Sequence, residues 1–286
     1  MNFSLTENYC KTGYLKSRDQ TSLFFRHYPT SDKKASVFLV HGFGEHSGRY
    51  SHVIERLVSE SYEVFSIDFR GHGHSKGGRG DITSFGLYED DVLAGFNYIE
   101  NNLKTNNKLF LLAHSMGALV ALRALRNAHF GVHGLVLSSP LFALKIPVPE
   151  WKRLLALAVI RVIPELRLGT GIKGRHLSSD RNFANAYDKD PLVLKNLSIR
   201  AFFEISDGLK DAHDLAKDVA LPLLIQLAGN DPVVDSDAAE QWFRRLDQKH
   251  VDKSLKIYPG FLHEIYNETK RIEPIDDAIV WLNQRV

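Results

Sequence analysis

The stretch "LFLLAHSMGALVALRAL", Leu109 to Leu125, decides how the rest of the chain is read. Its first part, "LFLLAH", is a short run of large apolar residues of the kind that forms a buried strand. Its second part, "MGALVALRAL", has the composition and periodicity of a helix. Ser115 stands at the junction. A strand running into a serine and a helix leaving it make a sharp turn that presents the hydroxyl, and the helix N-terminus favours negative charge beside it. The residue two before the serine has to be small because backbone crowds there. Ala113 meets that requirement without being glycine.

A competing serine has the better pattern and the worse context. Within "GHGHSKGGRG", Gly71 to Gly80, the residues Gly73-His74-Ser75-Lys76-Gly77 match G-x-S-x-G letter for letter. Arg70 to Gly80 carries five glycines and no apolar periodicity, which describes a loop. Ser75 therefore reads as a turn residue. Gly71 and Gly73 also imitate a dinucleotide fingerprint, but a pyrophosphate site needs a helix directly behind the glycines, and "SKGGRGDITSFG" is not one.

Outward from Ser115, apolar runs recur: "SVFLVHG", "YEVFSIDFRG", "GLVLSSP", "PLLIQLAGND" and "SLKIYPG". Helical patterns lie between many of them, including "RYSHVIERLVSE", "YEDDVLAGFNYIENN" and "DSDAAEQWFRRLDQ". The alternation predicts an α/β fold, a mostly parallel central sheet flanked by helices. Upstream, "YCKTGYLKSRD" and "TSLFFRHYP" predict an antiparallel hairpin at the sheet's edge. From 141 to 215 there is helical patterning but no core strand, too long a span for a bare loop. It is read as an inserted helical cap over the sheet's carboxyl edge, with 1–140 and 216–286 forming the core.

A serine hydroxyl needs an imidazole base, itself oriented by a carboxylate, and in this architecture the chain order is Ser, acid, His. Asp231 ends the strand "LPLLIQLAGND" and His263 follows "SLKIYPG", so both are expected on the same edge as Ser115. Asp235 and Asp237 compete for the acid, but they precede "AAEQWFRRL" and read as helix-capping residues. Two backbone N–H donors are needed to hold an oxyanion. They are expected from Met116, after the nucleophile, and from Phe43, after the strand "SVFLVHG".

Composition narrows the class. At 286 residues, 44% hydrophobic and 24% charged, the chain can bury one large core and has ordinary globular character. A formal net charge of +2 gives no reason to expect nucleic acid as a partner. Cys10 is the sole cysteine, which excludes an internal disulfide and a thiolate metal cage and suits a reducing compartment. The opening "MNFSLTENYCKTGY" has no apolar run, so no signal peptide is expected, and the longest apolar block, "LLALAVI" from Leu154, is too short to span a bilayer. The expected setting is cytoplasmic, with no cofactor and no metal; composition gives no reading of the oligomeric state.

With these residues placed, the chain resembles the α/β-hydrolase superfamily, and within it the monoacylglycerol lipase and lysophospholipase group of serine-aminopeptidase-like (S33) hydrolases. The likeness rests on "HGFGEHSGRY" (His41 to Tyr50), "IDFRGHGHS" (Ile67 to Ser75), "AHSMG", "DRNFANAYDKDPLV" (Asp180 to Val193) and "LKIYPGFLHEIYNE" (Leu255 to Glu268). It implies Ser115 as nucleophile, Asp231 as acid, His263 as base, and Phe43 and Met116 as oxyanion donors. It also implies that Glu45, Arg49 and Tyr187 lie near the head-group end of a pocket. Glu45 and Arg49 read equally well as a structural ion pair. Ala113, where the group usually has glycine, and "FALKIPVPEWKRLLALAVIRVIPELRLGTG" depart from the family's pattern.

On a helical wheel for "EWKRLLALAVIRVI", Trp151, Leu154, Leu155, Ala158, Val159 and Val162 form an apolar arc, with Lys152, Arg153 and Arg161 opposite among Leu157 and Ile160. The expectation is an apolar side covering the site and a mixed side meeting a lipid surface, with plain core packing as the alternative for the arc. The function expected is a serine carboxylic ester hydrolase acting on a lipid-like ester, a monoacylglycerol or lysophospholipid, through an acyl-serine. Acyl transfer and amide or peptide hydrolysis use the same machinery and stay open. A non-catalytic binding protein on this fold is the reading from another class.

Overall fold

Each apolar run read above as a strand becomes one. The computed structural model describes residues 10–103, 107–126, 130–145, 150–246 and 252–286, with the side chains of 150–153 and 155 outside that set. β1 (Lys11–Lys16) and β2 (Ser22–Tyr28) are followed by β3 (Ala35–Val40), α1 (Ser51–Ser59), β4 (Tyr62–Ile67) and α2 (Gly86–Asn102). β5 (Leu109–His114) runs into α3 (Met116–Arg126), and β6 (Val132–Ser138) closes the first part of the chain. Next come α4 (Glu150–Val159), β7 (Arg167–Gly169), α5 (Gly174–Leu177), α6 (Arg181–Lys189), β8 (Asn196–Ser198) and α7 (Ile199–Gly208). β9 (Leu223–Ala228), α8 (Ser236–Arg245), β10 (Lys253–Tyr258) and α9 (Ile272–Asn283) complete it.

The main sheet has the order β1-β2-β4-β3-β5-β6-β9-β10. β2 pairs antiparallel with β1 and β4, as the hairpin reading requires; the other pairings are parallel. Strand alternation splits the core into two layers. Phe38 and Val40 of β3 bury with Val92 and Phe96 of α2, while Val37 and Leu39 bury with Ile54 of α1 and Leu282 of α9. Each such aliphatic side chain contributes roughly 1.5–3 kcal/mol.

The chain leaves β3 toward β4 on one side and later enters β5 on the other, so a crevice opens between the carboxyl ends of β3 and β5. Val40 pairs with Ala113, which brings the 41–44 loop and Ser115 out side by side. Among the described residues between β6 and β9, no strand joins the main sheet; β7 and β8 pair only with each other. Ala201, Ile205, Ala212 and Leu215 bury into the same cluster as α3 and α8.

The wheel for α4 needs correction. The helix stops at Val159, and Leu154, Ala158 and Val162 of the proposed covering arc face outward, Val162 being 78% exposed. Of the arc's described side chains, Val159 does line the cavity, beside Ala156, which the arc did not include. A wheel marks the apolar face without saying what covers it. The side chains of Trp151, Lys152, Arg153 and Leu155 lie outside the described residues.

Candidate active site

Ser115 occupies the turn between β5 and α3 with φ +51°, left-handed backbone that a non-glycine residue adopts at a cost. Its N–H donates to the Ser138 carbonyl at 2.9 Å, tying the turn to the end of β6. Two residues on, α3 passes so close to β3 that a Cβ on Gly117 would lie 2.3 Å from the His41 carbonyl oxygen. Only glycine fits there.

Asp231 follows β9, and its Oδ1 accepts from the Val233 and Val234 N–H groups at 2.8 and 3.0 Å. Its Oδ2 lies 2.7 Å from His263 Nδ1, and His263 Nε2 lies 2.9 Å from Ser115 Oγ. With Nδ1 donating to the carboxylate, Nε2 is left to accept from the serine hydroxyl. All three residues are buried. Burial opposes both charges, but the pairing outweighs it. The Asp231 carboxyl is held below the ordinary range by His263 and the two amides, and the His263 imidazole is lifted above its ordinary value by Asp231. His114 packs beside it at 4.8 Å between ring centroids, and burial, with His263 adding to it, pushes its imidazole well below the usual value.

Met116 opens α3, where helix geometry leaves an N–H without an intrahelical acceptor. Phe43 borders the same cavity, and a Cβ on the neighbouring Gly42 would lie 3.1 Å from Ser115 Cβ. The two predicted donors thus flank the serine.

Glu45 and Arg49 form an ion pair, Nε to Oε2 3.6 Å, so the structural alternative is realised. Arg49 also donates from Nη2 to Glu264 Oε2 at 2.5 Å and lies over the Tyr187 ring at 5.0 Å. Glu45, Glu264 and Tyr187 line the cavity. Burial, followed by the repulsion of Glu264, pushes the Glu45 carboxyl up to about 7 against the pull of Arg49. Glu264 was not singled out from the sequence: it sits next to His263 in "FLHEIYNE", but its partner is 215 residues away and no local pattern announces the pair.

The decoy serine is bonded on both sides: Ser75 Oγ donates to the Asp68 carbonyl at 2.6 Å and accepts from the Phe24 N–H at 2.7 Å. Asp235 caps α8, accepting from the Asp237 and Ala238 N–H groups, while Asp237 sits in the first turn.

Above Ser115 and His263 lies a cavity of about 780 Å³ with a mostly apolar lining that includes Leu141, Ala156, Val159, Phe202, Ile205 and Val233. A mostly parallel sheet with a serine elbow and a Ser–His–Asp chain along one edge defines an α/β-hydrolase, and the protein is a serine hydrolase. A family model described as serine aminopeptidase, S33, matches residues 31–270, and the chain belongs to that family. It is similar to human monoglyceride lipase, 31% identical over 95% of this chain and 90% of that protein. It is also similar to phospholipase YtpA of Bacillus subtilis, 30% identical over 88% and 96%. Among solved structures, a monoacylglycerol lipase from Paleococcus ferrophilus is 29% identical, with a TM-score of 0.81 over 92% of this chain and 99% of that one. An uncharacterized abhydrolase domain-containing protein of Dictyostelium discoideum is longer: at 29% identity, 95% of this chain matches 29% of its length.

Proposed function

We propose that this serine ester hydrolase cleaves lipid esters, monoacylglycerols in particular, through an acyl-serine intermediate. The observation that carries the reading is the Asp231–His263–Ser115 hydrogen-bonded chain at the floor of a large apolar cavity. Ser115 Oγ attacks the ester carbonyl and passes its proton to His263 Nε2. The Phe43 and Met116 N–H groups hold the oxyanion. The imidazolium, steadied by Asp231, then protonates the departing glycerol oxygen, and water deprotonated by His263 frees the fatty acid from Ser115.

The likeness to monoglyceride lipases supports a glycerol ester, and the likeness to a phospholipase supports a lysophospholipid. The described cavity lining contains the carboxylates Glu45 and Glu264 and no lysine or arginine, which favours a neutral head group over a phosphate. Tyr187 and the Glu45–Arg49 pair border the end assigned to that head group. Residues 141–215 act as the cap, and 1–140 with 216–286 as the core. The cap is also the surface that meets a lipid bilayer, in a protein that works in the cytoplasm. Leu144, Leu166 and Leu168 support that contact, each lining the cavity yet 41–55% exposed. Among the described residues, no helix is long and apolar enough to cross a membrane.

The test is a panel of 1-acylglycerols and lysophospholipids with wild type, Ser115→Ala and Ser75→Ala. Ser115→Ala is expected to lose about 10⁴-fold or more in kcat while folded Ser75→Ala retains turnover. A fluorophosphonate adduct should map to Ser115 by mass spectrometry. Turnover surviving in Ser115→Ala, or an adduct on Ser75, would overturn the assignment.

A further inference from the structure

Two buried side chains hold the peptide units on either side of Gly42. The Gly42 N–H donates to Glu45 Oε1 at 2.6 Å, and the same oxygen accepts from the Tyr50 hydroxyl at 2.7 Å. On the other side, the Gly42 carbonyl lies 2.7 Å from His41 Nδ1, while the Phe69 N–H lies 3.0 Å from His41 Nε2. An amide can only donate, so Nε2 is the acceptor and Nδ1 carries the proton given to Gly42. Burial, which pushes this imidazole down to about 4, keeps that neutral form across the working range of pH.

A trans peptide is planar, with its N–H directed opposite to its carbonyl. Fixing the Gly42 carbonyl on His41 therefore turns the Phe43 N–H to the other side. Gly42 itself is wedged, since a Cβ there would lie 3.1 Å from both Glu45 Oε1 and Ser115 Cβ. Gly44, at φ +80°, stands on the far side of Phe43. A loop with two glycines in three residues has little intrinsic resistance to a peptide flip. The resistance must come from its anchors.

We propose that Glu45, together with His41, is a positioning residue for the oxyanion loop, holding the Gly42 backbone so that the Phe43 N–H faces the carbonyl under attack at Ser115. This rests on the reading of Phe43 as an oxyanion donor. Glu45 Oε1 is taken by Gly42 and Tyr50, while Oε2 lies 3.6 Å from Arg49 Nε without a hydrogen bond, which is why the test separates loop positioning from a head-group contact. Glu45 acts through the loop.

The experiment compares wild type, Glu45→Ala, Glu45→Gln and Ser115→Ala on two esters of one acyl chain, a 1-monoacylglycerol and a p-nitrophenyl ester without glycerol. A trifluoromethyl ketone with the same chain, whose adduct carries an oxyanion, is titrated in parallel. Glu45→Ala is expected to lower kcat on both esters by about 10- to 100-fold, with KM little changed and the ketone weakened by a similar factor. Glu45→Gln keeps an oxygen that can accept from Gly42 and should recover most of that loss. If Glu45→Ala does not fold, Glu45→Asp, one methylene too short to reach the Gly42 N–H, replaces it with the same expected pattern. A loss confined to the monoacylglycerol and appearing in KM identifies a head-group contact and overturns the proposal, as does an unchanged kcat. Turnover in Ser115→Ala would sink the mechanism itself. An inactive Ser115→Ala beside a fully active Glu45→Ala sinks only the role given to Glu45.

Discussion

Gly117 and Ala113 show how unequal the two small positions of the elbow are. Ala113 sits fully buried in β5 between Val40 and Leu137, and a methyl group is accommodated there. At Gly117 a methyl group would meet the His41 and Val40 carbonyl oxygens at 2.3 and 2.9 Å. Gly117→Ala is expected to destabilise the protein by about 1–3 kcal/mol as α3 is pushed off β3, measurable as a lower urea midpoint with an unchanged slope. An unaltered midpoint would mean that the close approach costs nothing. Ser115, Asp231 and His263 were legible because each follows a strand, and strand ends are visible as apolar runs. The hydrogen bonds of Glu45 and the Arg49–Glu264 pair were not, because they depend on how distant loops meet.

At the scale of elements, short continuous apolar runs alternating with period-3.6 helices placed every strand of the main sheet, including the antiparallel hairpin at its edge. They failed at α4, where the apolar arc predicted to lie over the site is partly turned to solvent. Leu154 of that arc is 58% exposed and Val162 78%, whereas Leu157, placed on the opposite side, is 41% exposed, as expected there, with Ile163 exposed close by. Exposed aliphatics beside a cavity mouth are the surface on which a lipid bilayer would bear. Wild type is expected to co-sediment with neutral and anionic vesicles, and Leu154→Asp/Leu157→Asp to bind at least about tenfold more weakly, two leucines representing a few kcal/mol of apolar transfer. Failure of wild type to pellet with either vesicle would remove the membrane contact.

For the molecule as a whole, buried histidines set a limit on acid tolerance. Burial pushes His41 and His52 to about 4, His72 to about 3, and His114 well below its ordinary value. Each takes up a proton near pH 6.5 once unfolded, so below that pH the unfolded chain binds more protons and the fold loses stability. Glu45, pushed up to about 7, works the other way, being protonated in the folded state before it is in the unfolded chain. Asp91, also raised by burial, opposes the histidines in the same sense, but four histidines against two carboxyls still leave the unfolded chain binding more protons, so stability falls as the pH drops below about 6.5. A urea midpoint that falls between about pH 6.5 and 4.5, followed by circular dichroism, is the expected result; a flat profile across that range would contradict it.

The separation of the site residues along the chain has a consequence for biosynthesis. Ser115 and its base lie 148 residues apart, and β10, which leads to His263, pairs only with β9. Synthesis from the N-terminus completes the elbow and the oxyanion loop long before the imidazole exists. On the proposed mechanism the growing chain carries a serine without its base, His263, and the hydrolase is made in an inert form. Competence arrives only when the edge strand docks, so the act that finishes the sheet also arms the enzyme.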